Sequence, residues 1–437
     1  MAHQTIPPEP TPTPPTAAAA TTGAMSEYDY SNFFYSSSDD LFTIFGAYDD
    51  WWYGHAREKG YYLFYQAMST APKPRIDLEE GLHHEKRALL NLASYNYLGL
   101  SYHPEVIAAA KAAVDQYGLG SAGSPTLSGT MDVHVQLEKV LARHMGTEAA
   151  MVFPTGYSTN VGLISGLVRP GDTIIMDQNV HASIVDGAIL SKANTRFFRH
   201  NRPDELDRKL RDVKGKKLVI VEGVYSMDGD VAHLPEMVAV AKKHGARIMI
   251  DEAHSGFVYG PTGRGVAEHF GLDDEIDIHV GTFSKALGGM GGYVAGSKSL
   301  INYLMGFARS RVFSCALSPV VTAGVLKALE ISEREPQLRD RLWQNVAHLR
   351  KRFADAGVDV AESTSQIIPV MIRKDPRVFA IGESLLNAGL YLQPIIYPAV
   401  AKHKSRFRIS VSSVHTPELL DTAADILIDV LQKEQIL

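Results

Sequence analysis

The chain has 437 residues, 45% hydrophobic and 21% charged, with a net charge of −6. That is enough for two or three domains with a large core, and the acidic balance lacks the basic face that a nucleic-acid partner calls for. No apolar run of about 18 residues suits a membrane span, no leader with basic and apolar regions opens the chain, and the one cysteine, Cys315, cannot form an internal disulfide, a set that fits a cytoplasmic enzyme.

In chain order, residues 1–24 are rich in Pro, Thr and Ala and read as a disordered tail. Residues 25–90 read as an arm. Fifteen of the chain's 38 aromatic residues fall between Tyr28 and Tyr65, among them Trp51, Trp52 and Tyr53. Such an arm either packs on its own domain or a dimer partner, or offers a docking surface to a carrier protein.

A large domain is expected over 91–310. Short apolar runs (Met151–Phe153, Thr173–Met176, Lys217–Val221, Arg247–Ile250, Asp277–Val280) read as strands, and Pro104–Tyr117, His134–His144 and Pro235–His244 as helices. The alternation predicts an α/β fold with a mostly parallel sheet covered on both faces. One long helical stretch, Pro319–Ala356, leads into sparser strands (Ile367–Ile372, Phe407–Val411) and a last helix from Pro417. Residues 311–437 therefore read as a smaller α+β domain.

Each of these five strands runs into a polar turn. PTGYSTN comes after the first, DQNVHAS after the second, EGVYSMDGD after the third, DEAHSGF after the fourth and GTFSK after the fifth. In parallel α/β sheets ligands sit beyond the carboxyl ends of the strands, so five such turns in succession predict one shared site.

The glycines of GTFSKALGGMGGY (281–293) suggest a phosphate loop, but a P-loop places its glycines before the lysine and its hydroxyl after it. Here Thr282 and Ser284 precede Lys285. A lysine beside small hydroxyls at a strand end instead suits a Schiff base with a cofactor aldehyde. Pyridoxal 5′-phosphate (PLP) then needs a carboxylate for its ring nitrogen, a flat group over its ring and a nest of donors for its phosphate. Asp251, His181 and the turn Thr155–Gly156–Tyr157 are the natural candidates.

D-E-A-H-S (251–255) together with T-F-S-K (282–285) resembles the α-oxoamine synthases, PLP-dependent acyltransferases of fold type I. S-Y-N-Y-L-G-L (94–100), T-G-Y-S-T-N (155–160), H-A-S-I-V-D-G (181–187), E-G-V-Y-S-M-D-G-D (222–230), G-R-G (263–265) and R-F-R-I-S-V-S-S-V-H-T (406–416) extend the likeness. The motifs are most similar to those of bacterial serine palmitoyltransferases and polyketide-linked members.

The resemblance implies a decarboxylative Claisen-type condensation of an L-amino acid with an acyl thioester, carried by CoA or an acyl carrier protein, giving an α-amino ketone, CO2 and free thiol. It implies Lys285 as cofactor anchor and Cα base, Asp251 at the ring nitrogen, His254 at the phenolic oxygen and His181 over the ring. Gly156, Tyr157 and Thr282 fall to the phosphate, with Ser226 and Ser284 also at the cofactor. Ser314 would reach the phosphate of a neighbouring subunit in a homodimer with shared sites. Arg408 would bind the amino-acid carboxylate, with Tyr95 and Asn96 also on the substrate side.

Two stretches depart from the family pattern. Pro125 stands where most members carry arginine, and L-Q-P-I-I-Y-P-A-V (392–400) lacks the arginine that bacterial serine palmitoyltransferases place before a proline pair. Serine palmitoyltransferase proper, an aminotransferase of the same fold and a non-catalytic partner subunit are the alternatives, and Lys285 together with Asp251 and His181 speaks against the last.

Overall fold

The computed structural model describes residues 33, 35–51, 63–79, 87–373 and 375–437. The expected tail, 1–24, and much of the aromatic arm lie outside the described residues. Within the arm, Phe33 packs on Tyr48 and Trp51 with ring centroids 5.3 and 5.1 Å apart. Further on, Leu63 is buried and Phe64 meets Phe379 edge-on at 6.1 Å.

Strands β1 (Arg75–Leu78) and β2 (Arg87–Asn91) pair antiparallel. The central sheet comes next, with β3 (Ala149–Phe153), β4 (Thr173–Asp177), β5 (Asn194–Phe198), β6 (Lys217–Glu222), β7 (Arg247–Asp251), β8 (Ile278–Thr282) and β9 (Gly292–Gly296). Its order is β3-β9-β8-β7-β6-β4-β5. Strands β5, β4, β6, β7 and β8 run parallel, and β9 runs against both its neighbours, β8 and β3. All five residues of β4 and of β8 are buried, as expected where helices cover both faces of a parallel sheet.

β9, Gly-Tyr-Val-Ala-Gly, is not legible in the sequence, because a short strand bounded by glycines has no β-branched run. It forms because β3 and β8 flank it on both edges. The edge strand β5, largely exposed, has no apolar run either.

Beyond residue 366 come β10 (Ile367–Met371), β11 (Leu390–Tyr391), β12 (Gln393–Ile395) and β13 (Arg406–Ser410). β13 lies between β10 and β12 in an antiparallel sheet, while β11 pairs parallel with β2. β1 and β2, which lie in the segment read as an arm but for Asn91, thus join a C-terminal strand. The stretch read as one helix, Pro319–Ala356, is two, Pro319–Arg334 and Gln337–Ala356. Pro336 lacks an amide hydrogen and forces Glu335 out of the helical region, to φ −121° and ψ 66°.

Candidate active site

The five polar turns meet. Thr155, Gly156 and Tyr157 after β3, His181 and Ser183 after β4, Glu222 and Ser226 from β6, Asp251 and His254 from β7, and Thr282, Ser284 and Lys285 from β8 line one cavity of ≈ 340 Å³. Parallel strands in register bring this about: Glu222 stands opposite Asp251, and Asp251 opposite Val280.

Lys285 is half-buried, and burial pushes its amine below the usual lysine value while Asp251 and Glu222 pull it back up. The buried Asp251 carboxylate accepts from Asn160 Nδ2 at 2.8 Å and from the Ala253 N–H at 2.9 Å. Its orientation is therefore fixed.

His181 caps the helix Ala182–Ser191, with Nδ1 2.7 Å from Ser183 Oγ. Its backbone N–H donates to Glu222 Oε1 at 2.5 Å. Burial lowers the pKa of its ring, against the charge of Asp251. His254 Nδ1 lies 2.8 Å from Tyr97 Oη, and burial drives its pKa well below the ordinary histidine range. Burial also raises the Tyr97 pKa, so the phenol stays protonated and can donate to Nδ1. In that tautomer the ring proton of His254 sits on Nε2 and can donate elsewhere.

The helix Gly156–Leu167 begins at the cavity wall with Thr155 as its cap, accepting from the Ser158 N–H at 2.9 Å. Its first two amides, of Gly156 and Tyr157, have no acceptor within the helix. Thr282 Oγ1 lies 2.9 Å from Ser284 Oγ and donates to the Gly291 carbonyl at 2.8 Å. A Cβ on Gly156 would come within 3.0 Å of Thr282 Oγ1, so glycine keeps the nest open. The Tyr157 hydroxyl donates to Asp186, which leaves the backbone amide as that residue's contribution to the nest.

Arg408, on β13, is buried, and that burial lowers its pKa to about 10. It bonds the Tyr95 hydroxyl, stacks over the Tyr95 ring at 4.6 Å and donates to the Ser226 carbonyl at 3.3 Å. Gln393, at the start of the stretch that departs from the family pattern, pairs with Arg408 in the β12–β13 register. Tyr95 and Asn96 line a neighbouring cavity of ≈ 290 Å³ that shares Ser284 with the first. The Asn96 amide is engaged with Ser101 Oγ at 2.8 Å. Ser314 lies just past the short helix Arg309–Val312 and is not among the residues lining either cavity.

Two site residues were not singled out in the sequence. Glu222 opens the quoted E-G-V-Y-S-M-D-G-D motif and is buried beside Asp251; burial, then the Asp251 charge, raises its pKa well above the carboxylate range. Its position at a strand end was the available signal. Asn160 sits one helical turn after the nest, and only the tertiary structure brings it to Asp251.

The aminotransferase class I and II family model matches residues 87–427. The serine palmitoyltransferase of Sphingobacterium spiritivorum is 37% identical over 382 residues, 87% of this chain and 94% of that one. The 8-amino-7-oxononanoate synthase of Symbiobacterium thermophilum is 41% identical over 370 residues, 84% and 93% of the two chains. The structure of the S. paucimobilis serine palmitoyltransferase with a bound PLP–myriocin aldimine is 34% identical, covers 91% of this chain and all of its own, and superposes with a TM-score of 0.86.

The chain belongs to the aminotransferase class I and II family. Within it, it is an α-oxoamine synthase of fold type I, a PLP-dependent acyltransferase. The residues of this α-oxoamine synthase fit the cofactor. A lysine of lowered pKa faces a fixed carboxylate, and an amide nest that a Cβ would crowd lies beside two hydroxyls. That donor set suits an aldehyde, a protonated ring nitrogen and a phosphate.

Proposed function

We propose that the chain joins the α-carbon of an L-amino acid to the acyl group of a thioester, releasing CO2 and the thiol, with Lys285 as the base. The observation that carries this reading is the meeting of Lys285, Asp251, His181 and His254 with the amide nest in one cavity. PLP, when bound, supplies an aldehyde for amines and an electron-withdrawing ring that stabilises negative charge at the α-carbon. Lys285 would hold its aldehyde carbon, Asp251 its ring nitrogen and His254 Nε2–H its phenolic oxygen. His181 would cover the ring, and Gly156, Tyr157, Thr282 and Ser284 would hold the phosphate, with Ser226 close by.

The protein's own groups divide the remaining work. Burial leaves a larger neutral fraction of Lys285 Nζ, which takes the α-proton and later returns one. The Arg408 guanidinium orients the amino-acid carboxylate, and Tyr95 steadies that guanidinium. Tyr95 and Asn96 border the second cavity, the approach for the acyl donor.

The working protein is read as a homodimer in the cytoplasm, with Ser314 serving the partner's phosphate. Residues 91–310 form its PLP domain and 311–437 its small domain. The aromatic arm favours delivery of the acyl group by a carrier protein. Sedimentation at several concentrations tests the dimer, and a monomer at assay concentration would refute it.

A matrix of amino acids against CoA and carrier-protein thioesters tests the reaction, with products identified by mass spectrometry. Serine and palmitoyl thioester are its first pair, after the names of the relatives. The expected product is an α-amino ketone that has lost CO2. Recovery of carboxylated products alone would overturn the mechanism, and carrier-bound substrate reacting no faster than CoA-bound substrate would overturn the carrier reading.

A further inference from the structure

His200 lies just beyond β5, outside the cavity that holds Lys285. Its Nδ1 is 3.0 Å from Asp177 Oδ1 and its Nε2 is 3.0 Å from Asp230 Oδ2. Carboxylate oxygens only accept, so the ring donates from both nitrogens and is an imidazolium, with no lone pair left for a metal. Burial works against that charge, but the two carboxylates outweigh it and raise the pKa to about 10. The ring also stands edge-on to Tyr225 at 4.4 Å.

The two carboxylates belong to different parts of the molecule. Asp177, fully buried, ends β4 and is held further by the N–H groups of Asn179 at 2.8 Å and Asn201 at 2.7 Å. Asp230 closes the loop 225–230, whose ends are tied by the Tyr225 N–H to the Asp230 carbonyl at 3.0 Å. Asn201 Nδ2 adds a second bond to Asp230 Oδ2 at 3.0 Å.

The far side of that loop is where the small sheet attaches. Arg406 donates to Asp228 Oδ1 at 2.6 Å and to the Met227 carbonyl at 3.0 Å, and Arg408 donates to the Ser226 carbonyl. The Gly229 carbonyl accepts from the N–H groups of Thr364 and Ser365, both at 3.1 Å. Gly229 is at φ +69°, and a Cβ there would lie 2.2 Å from the Ile367 carbonyl oxygen, so nothing separates loop and β10. One six-residue loop thus carries the central sheet's anchor on one face and both arginines on the other.

We propose that His200 is a positioning residue for amino-acid recognition: by tying Asp230 of loop 225–230 to Asp177 at the end of β4 it sets the place of Arg408. This rests on the reading of Arg408 as the carboxylate-binding residue. Without the charged ring, only the neutral Asn201 donors still join Asp177 and Asp230, the loop moves away from β4, and Arg408 moves with its Ser226 contact. The amino acid then binds less well, while the amide nest, which hangs on β3 and β8, is untouched.

The test uses the PLP-loaded full chain and two readouts, steady-state KM and the spectral change of the bound cofactor on adding amino acid. In His200→Gln the amino-acid KM and spectral Kd are expected to rise at least about tenfold, with kcat and thioester KM within about twofold. Asp230→Asn is expected to weaken amino-acid binding similarly, and the double variant to be no worse than the worse single one. Should His200→Gln fail to fold, Asp230→Asn carries the test alone. Unchanged amino-acid affinity in variants that load PLP, or fully additive effects, would overturn the proposal. Arg408→Ala keeps the two failures apart. If it leaves amino-acid affinity unchanged, the reading of Arg408 is wrong; if it weakens binding but His200→Gln does not, only the role of His200 is wrong.

Discussion

Asn160 Nδ2 stands 2.8 Å from Asp251 Oδ2 and 3.0 Å from Ser183 Oγ, linking the helix after β3 to the carboxylate of β7 and the helix after β4. The carboxylate proposed to meet the cofactor's ring nitrogen is therefore set by a residue from another strand unit. Removing that donor leaves a buried charge less well satisfied, a cost of about 1–3 kcal/mol. Asn160→Ala should bind PLP about 5- to 150-fold more weakly, as read by absorbance titration. PLP affinity equal to wild type would show that Asp251 needs no such support.

Lys285→Ala removes the amine proposed to anchor the cofactor and to exchange protons. Turnover should fall at least about 10²–10⁴-fold, and the visible band of the lysine-bound cofactor should disappear. A variant that keeps the band would place the anchor elsewhere.

Arg408→Lys keeps a positive charge but loses the planar fork that matches a carboxylate. A charge-assisted hydrogen bond is worth about 1.5–3 kcal/mol, so the amino-acid KM should rise about 10- to 150-fold, with the thioester KM nearly unchanged. An equal rise for both substrates would argue for a structural role instead.

Gly281 lies against the Tyr293 ring, where an added Cβ would come within 2.5 Å. Tyr293 is fully buried and stacks on Phe283 at 5.5 Å, so it has no room to yield. Gly281→Ala should lose about 1–3 kcal/mol of stability by overpacking, measured from the urea midpoint. A midpoint equal to wild type would mean that the ring shifts freely.

His415 is buried, and burial lowers its pKa from 6.5 to about 4; its Nδ1 accepts from the Ser412 N–H at 3.1 Å. The folded ring is thus neutral where the unfolded ring would be protonated. Below pH 6.5 the unfolded state binds more protons, so this contribution to stability is present above 6.5 and is lost as pH falls toward 4. At pH 5 the loss is about 2 kcal/mol. In His415→Gln, the destabilisation between pH 7.5 and pH 5 should shrink by about that amount. An unchanged pH dependence would assign the slope to other groups.

The sheet core and the chemistry were legible in the chain because both are written locally. Runs such as Lys217-Leu-Val-Ile-Val and Arg247-Ile-Met-Ile mark strands by themselves, and the order Thr282-Phe-Ser-Lys285 sets a covalent lysine apart from a phosphate loop. Asp251, His181, His254 and the Thr155–Tyr157 turn all stand at or just past strand ends, so a rule about strand ends reached them.

The sequence alone thus determined the set of groups at the carboxyl ends of five strands, and with it the class of reaction. Only the tertiary structure decided who holds those groups. β9 exists because β3 and β8 pair with both its edges, Asn160 reaches Asp251 across 91 positions, and Arg408 meets the Ser226 carbonyl across 182. Hydrogen bonds between such distant residues depend on register and helix packing, which leave no local pattern in the chain.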